Sequence, residues 1–524
     1  MANIKDLPDE VLEFILSLIS PYQDLHDCMA VSKRWRRCVH NVVKNRRRNL
    51  NRSISDFNVK WMSLTPSEVY PTISKRYSHS AAIHENAMYV FGGCTCSMTT
   101  FNDLWKFDLS KRQWIRPLAT GTYPSPKACS SLVYHKNSLV LFGGWTYPPT
   151  YPLYQSWHLF NDLHVYDIGK NHWRAVGTAL TPPPMAGHSV SIIDNWMIVF
   201  GGLAKPNNAI DCEKTNDIWK LNLNDWVWTK QEVEGTKKPQ GRFGQTQVIL
   251  DNSNIFIIGG SGGSNVSYGD AWVLNMSNDN AWKWTPVEIR GKPNKPVNIW
   301  SNPGCKVDNK IVVLNRVQTD TIFPLNSSRC PPEYREEAQL NVSARIDSAS
   351  RQPDLDENVN GRRGSLRMPH RENNAAGPSY EGIGSASIVN SVARPGPSIA
   401  AFVDVEQNLR YSGVSLKDRT SFLKRHKEAE RRAEWKGNKN NNSHFLGIYV
   451  LDLEHALDEK PYVTWLTPKN FNKGPEETIL YTLVQGKSEL IMFGGIQNDT
   501  KSLGQLNNQI SNSLHFISAR DHII

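Results

Sequence analysis

Cysteine is scarce, with eight in 524 residues, and their irregular spacing gives no disulfide framework. The closest pair, Cys94 and Cys96, has a one-residue gap and no second pair nearby, short of zinc-binding spacing. There is no run of about 18 uninterrupted apolar residues for a membrane span, and no basic, apolar, small-residue leader opens the chain. The expectation is a reducing intracellular compartment, cytoplasmic or nuclear, with no membrane partner. Zinc, phosphate-loop and nucleophile-elbow motifs are missing too, and histidines such as His79 and His188 stand alone. No catalytic residue, no metal and no cofactor is expected.

Acidic residues are missing from one place. Between Lys33 and Arg52 stand nine Lys or Arg and no Asp or Glu, nearly the whole net charge of +10. The rest of the chain is close to neutral, which argues against a nucleic-acid partner tracking the fold as a whole. For Arg34, Arg36, Arg37, Lys44, Arg46, Arg47 and Arg48, a solvated helix face is the plain reading; a nucleic-acid or nuclear-import patch is the alternative.

What the chain has in quantity is aromatic residues, 17 each of Trp, Tyr and Phe, enough for a substantial core. They recur with a period. An apolar strand ends in Gly-Gly, Asn-Asp opens another strand, and a Trp follows: MYVFGG, NDLWKFD and QW form the first copy, from Met88 to Trp114. LVLFGG, MIVFGG and IFIIGG begin three more. These β-branched and aromatic runs between turn residues read as strands. The Gly pairs begin at 92, 143, 201, 259 and 494, so the last interval is far longer than the others. Within it, KIVVLNR (Lys310 to Arg316) repeats the strand with Asn315 and Arg316 in place of the glycines. One repeat is degenerate and interrupted by a polar stretch, 317–444. Trp114, Trp173, Trp228, Trp284 and Trp465 precede the next pair position by 28 to 31 residues, and so does Trp61, which has no Gly-Gly strand before it. The last Gly pair, in turn, has no Trp after it. The N-terminal strand around Trp61 is therefore expected to complete the C-terminal blade.

Six blades with a period of about 50 residues resemble the Kelch β-propeller. Closing the ring at both ends of the chain leaves only short, protected strand edges. The glycines are expected to be structural, admitting close backbone approach and positive φ near the channel.

Residues 4 to 49 read differently, as three short helical patterns: one opened by Leu7-Pro8, one carrying Leu25, Cys28, Met29 and Val31, and a third capped by Ser32 and carrying Trp35, Cys38, Val39 and Val42. Their apolar residues exceed what so small a segment buries by itself, which calls for a partner. LPDEVLEFILSLI followed by LHDCMAVSKRWRRCV resembles the F-box, a module that docks on the Skp adaptor of cullin-RING ubiquitin ligases. The resemblance implies that Leu7, Pro8, Val11, Leu12, Ile15, Leu25, Val31 and Trp35 face the adaptor or hold the module together. A cap of three helices packed on the propeller is the alternative.

The domains expected are a three-helix F-box-like module at 1–50, propeller blades at 51–316 and 445–524, and a mostly disordered insertion at 317–444 with a helix at 404–436. In a four-stranded blade, the loops joining strands two and three leave one face, and the long segments after the Gly pairs all fall there. WTYPPTYPLYQSWHLF (Trp145 to Phe160) is rich in aromatics suited to a protein hot spot. Trp145, Tyr147, Tyr151 and Trp157 are the expected substrate contacts. Arg76, Lys127 and Arg242 stand before the first strands, where some Kelch propellers place cations for acidic peptides. Within the insertion, Arg362-Arg363-Gly364-Ser365 is a basic-directed kinase pattern. Taken together, the resemblances imply a non-catalytic substrate receptor of a Skp–cullin–F-box ubiquitin ligase, its partners being the Skp adaptor, through it cullin and RING-box subunits, and a protein substrate. A non-degradative Kelch scaffold, for instance cytoskeletal, is the alternative.

Overall fold

Ring closure is made by the strand Val59–Leu64, which pairs antiparallel with Leu514–Ala519, Trp61 opposite Ile517. With Glu489–Phe493 and Thr482–Gln485 it completes a four-stranded sheet built from both ends of the chain. This computed structural model describes residues 4–64, 71–95, 99–147, 158–205, 212–263, 266–278, 281–296, 299–300, 302–317, 445–469, 473–497 and 510–520. Cys96, Tyr151, Trp157, Ser365 and the helix expected at 404–436 lie outside them. All the described residues belong to one of the chain's two units, Met1–Val317 with Pro395–Ile524.

The first strands of the six blades are Ser80–His84, Ser131–His135, Ser189–Ile193, Thr246–Asp251, Cys305–Val307 and Thr482–Gln485. They surround a central cavity of about 570 Å³, each contributing a wall residue: Ala82, Leu132, Ser191, Val248, Lys306 and Val484. In the interrupted blade, Lys310–Arg316 pairs with Leu446–Asp452 through seven residues, Asn315 opposite Gly447. That ladder occupies the place of the Gly-Gly turn, and the insertion leaves from its end.

Elsewhere the glycines do what close approach requires. Gly92 and Gly93 sit at φ 64° and 90°, and a Cβ on Gly92 would lie 2.3 Å from the Lys127 carbonyl of the next blade. Gly93 donates to that carbonyl at 3.0 Å, as Gly202 does to Arg242 at 2.7 Å and Gly495 to Arg76 at 3.0 Å. The pairs are therefore joints between blades, open only to a residue without a side chain.

A second set of joints lies at the first strands. Thr482 bonds His79 at 2.8 Å, Ser80 donates to the Ser130 carbonyl at 2.6 Å, and His188 bonds Ser131 at 3.1 Å. Gln245 donates to Ser189 at 2.9 Å, and Gly304 N–H to Thr246 at 2.9 Å. Cys305 interrupts the hydroxyl pattern in blade five, and the last link is Tyr481 donating to the Leu314 carbonyl at 2.8 Å. Six links close the circle.

The N-terminal module departs from three α-helices. It has α1 (Asp9–Ser17), a 3₁₀ turn (Asp27–Ala30) where the second helix was expected, and α2 (Lys33–Ser55). Pro8 is the N-cap of α1 and lies outside the helix proper. Ser32 caps α2, accepting from Trp35 N–H at 3.2 Å. α2 runs past residue 50 as one helix because its buried stripe finds two cores in succession: Cys38, Val39 and Val42 pack with Leu12, Leu16 and Leu25, then Leu50 and Ile54 pack between blades five and six.

Burial pushes the imidazoles of His79 and His188 down to about 3, with the Arg76 charge adding to it at His79. A folded-state pKa below the ordinary 6.5 means the unfolded chain binds more protons on acidification, so this stability is present above pH 6.5 and is lost as pH falls toward 3. Gln245 occupies the same position in blade four without a titratable ring. The double variant His79→Gln/His188→Gln is expected to lose less melting temperature than wild type between pH 6.5 and 4; parallel pH profiles would refute the assignment.

Candidate functional site: the helical module and the loop face

α1 divides its apolar residues between two faces. Leu12 and Leu16 are buried on α2, whereas Val11 (42% exposed), Phe14 (57%), Ile15 (38%) and Leu18 (72%) face outward. Their spacing of i, i+3, i+4 and i+7 makes one stripe. Val31, 62% exposed, adds an apolar side chain at the end of the 3₁₀ turn. Of the eight residues expected to face the adaptor or hold the module, Leu12 and Leu25 hold it, Leu7 and Trp35 are half-buried, and Pro8, Val11, Ile15 and Val31 are exposed. Phe14 and Leu18 complete the stripe. Their helical spacing from Val11 was the available signal.

Arginines on α2 fix α1 in place. Arg34 and Arg37 hold the two Asp9 oxygens at 2.6 and 2.5 Å, and their hydrogen bonds keep that carboxyl below its usual range. Arg46 donates to the Ser17 and Ile19 carbonyls at 2.5 and 2.6 Å, satisfying the C-terminal end of α1.

At the loop face, the three cations expected to meet a substrate are internal struts. Arg76, Lys127 and Arg242 are fully buried. Arg76 makes a fork to Asp103 at 2.7 and 3.0 Å, donates to the Gly92 carbonyl at 2.8 Å, and lies over the Phe101 ring. Arg242 repeats this with Asp270, Gly259 and Tyr268. Lys127 meets Asp162 at 2.5 Å over Phe160. Burial opposes ionisation of Asp103, Asp162 and Asp270, but the hydrogen bonds from their partners outweigh it and hold the carboxyls below their ordinary values.

A signal for this was present in the repeats. The aromatic stands two residues before the Asp in FND, FND and YGD, and where blade three has Thr215 in that position it also has Met185 in place of the cation. Cation and ring are kept or lost together, as expected of a contact inside each blade.

Trp145 and Tyr147 are likewise buried, not exposed as expected. Their rings meet edge to face at 4.9 Å and pack with Tyr77, Ile479, Ile496 and Ile510 in a cluster shared by loops of several blades. Short ladders stiffen this crown: Trp145–Thr146 with His158–Leu159, Leu203–Ala204 with Met185–Ala186 and Glu213–Lys214, and Ser261–Gly263 with Val266–Ser267. Val266 is left exposed on it.

Breaking the Arg76 strut leaves the largely buried Asp103 unpaired, at a cost of about 3–5 kcal/mol, whereas water screens part of the charge left on Asp270, 41% exposed, when Arg242 is lost. Arg76→Met is expected to lower the denaturation midpoint sharply, Arg242→Met by less, and each to weaken every propeller interaction together; a folded variant that loses one partner alone would return Arg76 to the role of a contact residue.

A family model described as F-box-like matches residues 4–47, and one described as FBX42, beta-propeller domain matches 76–297, ending before the blade that lacks its Gly pair. Kelch domain-containing protein 1 of Mus musculus is 27% identical over 289 residues, 51% of this chain and 67% of that protein. The Homo sapiens protein of the same name is 23% identical, over 40% of this chain and 52% of its own length. Host cell factor homolog hcf-1 of Caenorhabditis elegans is 28% identical over 44% of this chain and 29% of its own length. The chain thus spans about a third to two thirds of these relatives. With an F-box-like segment coinciding with the α1–α2 module and a propeller matching the FBX42 domain and Kelch relatives, the chain is an F-box plus Kelch-repeat protein.

Proposed function

We propose that this protein is the substrate-recognition subunit of a Skp–cullin–F-box ubiquitin ligase, with no catalytic residue of its own. The observation that carries the reading is the outward apolar stripe of Val11, Phe14, Ile15 and Leu18 on a module whose own core is already complete. Such a surface is what a protein partner covers. The Skp adaptor is the partner that an F-box-like module implies, and cullin and RING-box subunits join through it.

The placement of the module supports a bridging role. Tyr22 accepts from Lys487 N–H in the first turn of blade six, Gln23 donates to the Ser110 carbonyl in a turn of blade one, and Asn51 meets Asp308 in a turn of blade five. All three turns lie on the face opposite the crown. Substrate held by the crown and ligase held by the module would not compete for surface. The rate contribution is proximity, a raised effective concentration of substrate lysines near the charged conjugating enzyme.

Adaptor binding tests the first half. Val11→Asp/Phe14→Asp is expected to weaken capture of the full chain by a Skp adaptor by at least about 30-fold, the scale of one interface hot spot of about 2 kcal/mol, with melting unchanged. Wild-type chain that stays unbound at micromolar adaptor would end the ligase reading. For the second half, we propose Tyr151, Trp157 and Val266 as substrate contacts. Proximity labelling under proteasome inhibition should lose a set of proteins when Tyr151→Ser, Trp157→Ser and Val266→Asp are combined. An unchanged set would move the substrate site off the crown.

A further inference from the structure

α2 contains no Asp or Glu, and four of its nine cations are employed inside the module: Arg34 and Arg37 on Asp9, Arg36 on the Met29 carbonyl, Arg46 on the end of α1. Lys44, Arg47, Arg48 and Arg52 are exposed and make no ion pair with any described residue. Their spacing of i, i+3, i+4 and i+8 puts them on one side of the helix, opposite the stripe buried in the two cores, along about 12 Å of its axis. Asn45 stands exposed beside them. Carboxylates that touch α2 or follow it are bonded to other groups: Glu13 accepts from Asn41 at 2.6 Å, Asp308 from Asn51 at 2.8 Å, and Asp56 pairs with Lys469 at 2.8 Å. Like charges four residues apart, as Lys44 with Arg48 and Arg48 with Arg52, weaken a helix by about 0.2–0.5 kcal/mol per pair. Nothing in the folding of the module requires them.

We propose that this face of α2 binds the phosphate backbone of a nucleic-acid duplex. Three features favour that partner over an acidic protein. The Lys44–Arg52 turns carry exposed Arg, Lys and Asn, the residue types that contact phosphates, and no aromatic or Met anchor of the kind that protein interfaces centre on, the adjoining Val43 being the single small apolar side chain exposed at their edge. The cations are presented by a rigid helix anchored at both ends, so little ordering entropy opposes binding. The segment is also helical, with Val42, Leu50 and Ile54 buried; an extended import peptide would have to pull those residues out of both cores. A partly neutral propeller is compatible with this, because the contact is confined to one helix.

The test is fluorescence anisotropy of the full chain with labelled duplexes of about 20 base pairs, DNA in one arm and RNA in the other, over a salt series. Binding to either is expected, and the variant Lys44→Gln/Arg47→Gln/Arg48→Gln/Arg52→Gln should bind more weakly, with a salt slope shallower by about 3–4, near one unit per lost phosphate contact. Its melting temperature should be unchanged or higher, because the repelling pairs are gone. No binding at low salt, an unchanged slope in the variant, or displacement of the duplex by polyglutamate at equal charge would overturn the proposal. The last result would assign the face to an acidic protein.

Discussion

A propeller has no stable partial form on its last seam, because an unclosed ring leaves two blades with exposed first-strand walls and one with an unpaired edge. Here the seam is six residues long, Val59–Leu64 against Leu514–Ala519, and it joins segments that are far apart in the chain. The central cavity, the six hydroxyl and carbonyl links around it, and the crown cluster shared by blades six, one, two and three all presuppose that this one ladder has formed. Loop-closure entropy grows only slowly with the length of chain enclosed, so an insertion as long as 318–444 is compatible with the ring provided its two ends meet. They do, at Val317 N–H donating to the Phe445 carbonyl at 3.0 Å.

The same seam explains the length of α2. Leu50, Ile54 and Phe57 share a core with Val312 and Leu314 of blade five and Leu483, Leu490 and Ile517 of blade six. The helix therefore contributes to the packing of the closing blades as well as to the F-box-like module. Tyr22 adds a second attachment, buried against blade one and blade six residues including Trp114 and Phe516. Two attachments on different blades leave the module little freedom to pivot, so the exposed stripe on α1 has a fixed direction relative to the turns beneath it.

Three charged struts inside the propeller are paired so that burying them costs little. Arg76, Lys127 and Arg242 each have a carboxylate and an aromatic ring, as Arg76 has Asp103 and Phe101. The indole N–H of Trp105 also donates to Asp103 at 2.7 Å. A blade without the cation also lacks the ring, since either partner left by itself would be an unsatisfied or loosely packed group in a desolvated site. These residue types resemble a recognition surface in composition, yet they are the internal bracing on which that surface stands.

What the sequence determined by itself is linear and periodic: the glycine spacing, the tryptophan spacing that assigned Trp61 to the last blade, the degenerate strand Lys310–Arg316, and a helical N-terminus with more apolar residues than it can bury. These are legible because strand alternation and repeat period are properties of neighbouring residues. Tertiary structure decided which side chains are available. Arg76 is buried because of an Asp 27 residues later, Trp145 because of isoleucines at 479, 496 and 510, and the second helix is only a 3₁₀ turn because it is short and lies between two packed ones. Phe14 and Val11 are exposed for the complementary reason: α2 covers one side of α1 and nothing in the chain's described residues covers the other. The glycine pairs could be counted in one dimension, but a buried strut and an exposed anchor differ only in what lies across from them in three.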